Sequence, residues 1–140
     1  MGRTTFLPGI GVGDLRFGIA ENELPQNYHF VLDPELSGDP LELYKSFVSE
    51  RFGMRADFDR SRLSTIACQK SVFFKGVEVI DAPFASLGGL IGEFKQVRDR
   101  DEILIGDGVQ HIIHVDELGL SFWLDEEDTV RSVDCIAPWA

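Results

Sequence analysis

Residues 118–135 read LGLSFWLDEEDTVRSVDC and carry the strongest local structural signal in the chain. Apolar residues occupy every second position over 118–124, the period expected of a β-strand with one buried face. The acidic run 125–128 follows as a polar turn, and alternation resumes over 130–135. The stretch therefore predicts a β-hairpin.

The same pattern occurs earlier, in residues 52–68, which read FGMRADFDRSRLSTIAC. Gly53 aligns there with Gly119, and Cys68 aligns with Cys135 once one extra residue is allowed in the later turn. An alignment that matches glycine and cysteine as well as apolar positions indicates an internal repeat.

The repeat extends upstream, because Gly11-Val12 and Gly76-Val77 each begin a short strand that leads into a helical pattern. Its halves are about 9–68 and 72–135, each a β-α-β-β unit. A chain of 140 residues has the length of one domain with its own core. We therefore expect a single domain over 1–140.

Helical signals lie in three segments. Residues 21–28 can form a short helix, and residues 84–94 place apolar side chains at three- and four-residue spacing. In 41–52 two readings stay open: Asp39-Pro40 is a good helix start, whereas alternation and the repeat register favour a strand. Together these signals predict an α+β fold, an antiparallel sheet from two tandem halves with helices packed on one face.

Charge and composition narrow the function. The chain holds 24 acidic and 13 basic residues, a net charge of -11, and its pI is near 4.5. Such a balance opposes binding to nucleic acid and to anionic membranes, so neither is an expected partner. The N-terminus does not resemble a signal peptide, and no apolar run approaches a membrane span. We expect a cytoplasmic protein.

Residues with catalytic or metal-binding chemistry are few. His111 and His114 lie near Asp116 and Glu117, but on a strand the two histidines point to opposite faces and do not ligate one ion. The cysteines fit small buried strand residues better than nucleophiles. We therefore expect no enzyme activity, no metal and no cofactor.

The motifs GIGVGDLRFGI (9–19), VFFKGVEVI (72–80) and the hairpin 118–135 resemble small bacterial proteins of tandem β-α-β-β type. The architecture is similar to that of the β-lactamase inhibitor protein and of SmpA/OmlA domains, whose related halves share one sheet. It also resembles immunity proteins encoded beside polymorphic or contact-dependent growth inhibition toxins. The resemblance implies a non-catalytic protein that neutralises a cognate toxin by direct binding, and the acidity of the chain favours a basic toxin such as a nuclease.

An acidic docking surface is the site that this hypothesis predicts, since complementary charge speeds association with a basic partner. The predicted contacts are Asp116, Glu117, Trp123, Asp125, Glu126, Glu127 and Asp128, with an exposed Trp123 as the aromatic anchor. The alternative is a small-molecule-binding or enzymatic domain that uses a pocket between sheet and helices, around His111, His114 and Cys135. Oligomeric state stays open.

Overall fold

Alternating residues form β-strands along the chain in the computed structural model, which describes residues 4–34, 44–91, 101–105 and 108–140. Of residues 90, 91, 101–105 and 108–110 it describes the backbone alone. The strands are β1 Phe6–Leu7, β2 Gly11–Val12, β3 Leu15–Arg16, β4 Val31–Leu32, β5 Tyr44–Ser49, β6 Met54–Asp59, β7 Arg62–Cys68, β8 Phe73–Phe74, β9 Val77–Glu78, β10 Asp101–Ile105, β11 Gly108–Val115, β12 Leu120–Leu124 and β13 Val130–Ile136. The described helical segments are three 3-10 turns, Glu21–Glu23, Gln26–Tyr28 and Phe84–Leu87, and the α-helical turn Gly88–Ile91.

Eight strands form one antiparallel sheet, the main sheet, in the order β10-β11-β12-β13-β7-β6-β5-β4. Strands β4 to β7 make one meander and β10 to β13 another, and the meanders join where β13 pairs with β7. A three-stranded sheet (β1-β2-β3) and a two-stranded sheet (β8-β9) complete the fold. The two small sheets meet through the Phe6 and Phe74 rings, whose centroids are 5.9 Å apart.

The hairpins β6-β7 and β12-β13 have matching registers, so both predicted hairpins are confirmed. Met54 pairs with Cys68 as Leu120 pairs with Cys135. Both ladders shift register just before the turn, between Asp57 and Phe58 in one hairpin and between Trp123 and Leu124 in the other.

The glycines that precede these hairpins also match. Gly53 has φ 59° and Gly119 has φ 69°, a left-handed conformation that favours glycine. Their carbonyl oxygens accept hydrogen bonds from the backbone N–H of Gln69 (2.7 Å) and of Ile136 (2.8 Å). The match between the two hairpins therefore extends one residue beyond Cys68 and Cys135.

The join between β7 and β13, hereafter the seam, has local twofold symmetry. Cys68 pairs with Val133, and Cys135 pairs with Ile66. Because the two cysteines occupy equivalent positions in their hairpins, each pairing is the image of the other. The Ala67–Asp134 pair lies at the centre. The broader halves, 9–68 and 72–135, and the single-domain assignment stay predictions.

The hydrophobic core lies on one face of the main sheet. Strands β6, β7, β11, β12 and β13 supply part of it, and the small sheets, the short turns and the segments between them supply the rest. The largest fully buried side chains are Phe6, Phe58, Phe122, Leu15, Leu63, Ile66, Leu87, Leu124, Val12, Val72, Val115 and Val130. Burying each such side chain contributes roughly 1.5–3 kcal/mol. This face is thus closed by the protein itself.

The predicted α+β class is wrong: the described chain is mostly β, and short turns stand where helices were expected. In 21–28 Pro25 separates two 3-10 turns of three residues each. In 84–94 a 3-10 turn of four residues is followed by an α-helical turn of four residues that begins with Gly88-Gly89, two residues of low helix propensity. Residues 92–94 lie outside the described residues.

The open reading of 41–52 resolves as a strand over Tyr44–Ser49, which pairs with β6 through its whole length. Phe47 packs edge-on against Phe58, with ring centroids 5.5 Å apart. Residues 39–43, which carry the helix-start signal, lie outside the described residues. Cross-strand pairing and aromatic burial therefore outweigh the local helical preference at 44–49.

Among the helices that the structure describes, none combines the length and the apolar character needed to cross a bilayer.

Candidate functional site

The side of the main sheet opposite the core carries a band of polar side chains, which we call the polar face. One row of directly paired residues crosses it from β11 to β4. In order, the row is His114, Ser121, Asp134, Ala67, Arg55, Val48 and Val31. Side chains two positions along a strand share a face, so Trp123, Asp57, Ser46 and Tyr44 also belong to the polar face.

Asp57 is the most enclosed charged group of this face, with only 3% of its surface exposed. The Nε atom of Arg55 donates to Oδ1 at 2.9 Å and to Oδ2 at 3.2 Å, and the Ser46 hydroxyl donates to Oδ1 at 2.7 Å. Burial by itself lowers the pKa of Arg55, but the Asp57 carboxylate outweighs it and raises that pKa. Arg55 and Asp57 thus form a stable ion pair within the sheet face.

Asp134 lies at the centre of the polar face, in the seam. Its Oδ2 accepts a hydrogen bond of 2.9 Å from the indole Nε1 of Trp123. Burial raises the pKa of Asp134, and the Trp123 hydrogen bond and the Arg55 charge offset only part of the rise. The hydrogen bond holds the half-buried indole against the sheet.

A cavity of about 570 Å³ opens where β11 turns into β12, and we call it the Gly119 cavity. His114 and Ser121 line it and contact each other, with Nδ1 and Oγ 2.7 Å apart. Asp116 and Glu117, both exposed, lie at its rim in the turn. The cavity therefore joins one end of the polar face to an acidic turn.

The second acidic turn, 125–128, is at the other end of β12. Oδ1 of Asp125 accepts hydrogen bonds from the backbone N–H groups of Glu127 (2.9 Å) and Thr129 (3.0 Å). Its Oδ2 accepts a hydrogen bond from Nε of Arg131 (2.8 Å). The Thr129 hydrogen bond is the main cause that lowers the pKa of Asp125. The Asp125 side chain thus stabilises the turn through these hydrogen bonds, while Glu126 and Glu127 are exposed.

The seven predicted contact residues therefore lie in three places. Asp116 and Glu117 are at one end of β12, Trp123 is on the polar face, and 125–128 is at the other end. Trp123 is half-buried and hydrogen-bonded, not the freely exposed side chain that the sequence predicted. Asp128 is half-buried and adopts φ 61° in its turn.

The residues of the alternative pocket do not converge. His111 and Cys135 lie on the core face, Cys135 fully buried, whereas His114 lies on the polar face. The expected opposition of the two histidines across β11 is confirmed. Within the part of the chain that the structure describes, no group of three or more His, Cys, Asp or Glu is placed to hold a metal ion.

Sequence reasoning missed the central members of the polar face, Tyr44, Arg55, Asp57 and Asp134. Arg55 and Asp57 alternate with buried Met54, Ala56 and Phe58, so the charges follow a strand period inside a core strand. That alternation is a usable signal of a polar sheet face. Arg55 and Asp57 lie on the same face as Asp134 only because β7 pairs with β13 at the seam. No local sequence pattern shows that pairing.

Comparisons of the chain with protein-family models, with curated proteins and with solved structures each find no match.

Proposed function

We propose that this chain is a non-catalytic binding protein that docks a basic protein partner on its polar face and on the acidic turns at both ends of β12. The observation that carries the proposal is the presence of Trp123, Tyr44 and Arg55, each partly exposed, on one sheet face. Trp, Tyr and Arg are the residue types that contribute most of the binding energy at protein interfaces.

The hydrogen bonds that fix the side chains of this face support the same function. Arg55 is held by Asp57, and the Trp123 indole is held by Asp134. Side chains that are already fixed before association lose little conformational entropy on binding. The polar face is thus pre-organised for a partner.

Charge supports a basic partner. The net charge is -11, and four carboxylate side chains in the two turns are exposed: Asp116, Glu117, Glu126 and Glu127. Strand β12 is five residues long, roughly 17 Å at about 3.3 Å per residue. An ordinary interface of about 800 Å² per partner is wide enough to include both turns.

The specific partner that we propose is a cognate toxin domain, with this chain as its cytoplasmic immunity protein. The test is co-expression with the product of the adjacent upstream gene, followed by titration calorimetry of the purified pair. Protection from toxicity and a 1:1 complex support the proposal. A non-toxic product, or a toxic product that this chain does not bind, contradicts it.

Variants locate the surface. Trp123→Ala should weaken binding by about 2 kcal/mol or more, as expected for an interfacial anchor. The pairs Asp116→Asn with Glu117→Gln and Glu126→Gln with Glu127→Gln should slow association at low salt. Asp14 is an exposed acid in the β2-β3 turn, away from the proposed surface. Asp14→Asn is therefore the control and should leave the association and dissociation rates unchanged.

A further inference from the structure

Trp123 and Asp134 lie next to each other on the polar face. Trp123 of β12 pairs with Ser132 of β13, and Asp134 of β13 pairs with Ser121 of β12. The four side chains therefore form a square, with the two long ones at opposite corners and joined by the hydrogen bond from the indole Nε1 to Oδ2. Both long side chains are half-buried, so each keeps a part that faces solvent. An aromatic ring and a carboxylate are thus fixed to each other and accessible from one side.

The Asp134 carboxylate has a second oxygen available for a hydrogen bond. Oδ2 accepts from Trp123, whereas Oδ1 accepts no hydrogen bond from any residue that the structure describes. Arg55 donates through its Nε to Asp57, so Arg55 and also His114 lower the pKa of Asp134 through their charges alone, and burial outweighs them. A donor cation at Oδ1 would therefore favour the ionised carboxylate.

The Trp123 ring also differs from the other indole of the chain. Arg62 lies over the ring of Trp139, with its guanidinium carbon 4.5 Å from the ring centroid. Over the Trp123 ring, the described part of the chain places no such cation. A guanidinium over an indole face is attracted by the electrons of the ring. The same contact is therefore available at Trp123 to a cation from another molecule.

The charge around Asp134 favours a cation over an anion. On the other side of Ala67 from Asp134, Arg55 and Asp57 form an ion pair whose two charges cancel. Asp134 adds a negative charge that this pair does not balance, and the whole chain has a net charge of -11. A cation bound at Asp134 would give it the kind of partner that Asp57 already has.

We propose that Trp123 and Asp134 form a binding site for one arginine side chain of the basic protein partner. The guanidinium stacks on the indole and donates to Oδ1 of Asp134, while the indole N–H keeps its hydrogen bond to Oδ2. A planar guanidinium makes both contacts at once, whereas a lysine ammonium is a compact charge without a flat face. The proposal rests on the proposed docking function and adds which chemical group of the partner is recognised.

Titration with single blocked amino acids tests the site without the partner. The probe is arginine blocked at both ends of its backbone. Blocked citrulline, which has nearly the same shape but no charge, is the matched control, and blocked lysine tests selectivity. The arginine probe should shift the NMR signal of the Trp123 indole N–H more than that of Trp139, whose ring already contacts Arg62. No shift at Trp123, or an equal shift with citrulline or lysine, would overturn the proposal.

A variant tests the role of the carboxylate. Asp134→Asn keeps an acceptor for the Trp123 indole but removes the charge, so it should weaken binding of the arginine probe by about tenfold or more, the range of a charge-assisted hydrogen bond. Asp14→Asn removes an exposed carboxylate elsewhere and should leave the affinity unchanged. Unchanged affinity in a folded Asp134→Asn variant would contradict the proposed site.

The protein complex separates this proposal from the docking function. If the toxic product binds the parent chain and the Asp134→Asn variant equally tightly, the arginine site is wrong and the docking function stands. If the product does not bind, but blocked arginine binds with the expected dependence on Asp134, the toxin assignment fails and the arginine site stands.

Discussion

Asp57 and Asp134 are carboxylates of the same sheet face, yet their surroundings give them different roles. Asp57 has a cation and a hydroxyl within hydrogen-bond distance, and these partners compensate the cost of removing its charge from water. Asp134 has the indole N–H of Trp123 and a more distant guanidinium, and burial is the larger effect on its pKa. Their different partners lead to different expected effects of substitution.

Asp57→Ala should destabilise the fold by about 2–4 kcal/mol, because it leaves the half-buried Arg55 without its carboxylate. The Arg55 side chain keeps 34% exposure, which places the loss below that of a fully buried pair. Urea unfolding measures the change. Ser46→Ala removes one hydrogen bond from the same carboxylate and should cost only about 1 kcal/mol. Equal losses in the two variants would contradict a dominant role for the ion pair.

Asp134 should make the fold less stable as the pH rises from its ordinary pKa of 3.8 through its raised value. In that interval the folded state binds more protons at Asp134 than the unfolded state does, so the contribution of this group decreases with pH. Asp134→Asn keeps an acceptor for Trp123 and should remove this decrease. Urea midpoints at several pH values, for variant and parent, measure it.

Asp125 provides the contrast with the opposite sign, since its pKa is lowered. Its contribution is present above the ordinary value and is lost as the pH falls through the folded pKa. Asp125→Asn should therefore lower the stability above the ordinary pKa and remove the loss on the acid limb, while it leaves the slope in the Asp134 interval unchanged. A change of that slope caused by Asp125→Asn would contradict the assignment of the interval to Asp134.

At the scale of elements, the hairpins were predictable because their apolar alternation, polar turns and glycines all indicate the same structure. The helices were not, because the signals in 21–28 and 84–94 were propensity and spacing without the packing that stabilises a helix. Residues 44–49 show how strand pairing decides between a helix and a strand. Their sequence fits a helix face and a strand, and only β6 beside them distinguishes the two.

Turn glycines that look equivalent in sequence should tolerate alanine differently. Gly119→Ala places Cβ against the backbone carbonyl of Ile136, which cannot move without disturbing β13. Gly53→Ala meets the Lys70 side chain, which can move away. We expect a loss of about 1–2 kcal/mol for Gly53→Ala from the left-handed backbone alone, and a larger loss for Gly119→Ala. Chemical unfolding of both variants under one condition ranks them.

At the scale of the whole molecule, the arrangement of the sheet followed from contacts that the sequence does not display. Each meander forms from neighbours in the chain, but the seam pairs Cys68 with Val133. The polar face depends on that pairing, since Arg55 and Asp134 come from different meanders. The acidic turns could be found in sequence because they are local, whereas the site between them required the seam.

The reactivity of the cysteine thiols shows whether the seam opens before the whole protein unfolds. Cys68 and Cys135 are both fully buried, and burial raises the pKa of Cys135, which disfavours the reactive thiolate. In native buffer both thiols should resist Ellman's reagent, and in urea both should react in step with loss of tryptophan fluorescence. Reaction of either thiol well before unfolding would show that the meanders separate first.

The seam also has the form of a contact between identical subunits. In an isologous interface, residue i of one copy contacts residue j of the other, and j contacts i in return. The pairs Cys68 with Val133 and Ile66 with Cys135 obey that rule within one chain. A lone β6-β7 hairpin with Ala67 placed opposite its own copy would reproduce the same register, so the backbone at the centre of this sheet is what fusion of a symmetric homodimer would produce.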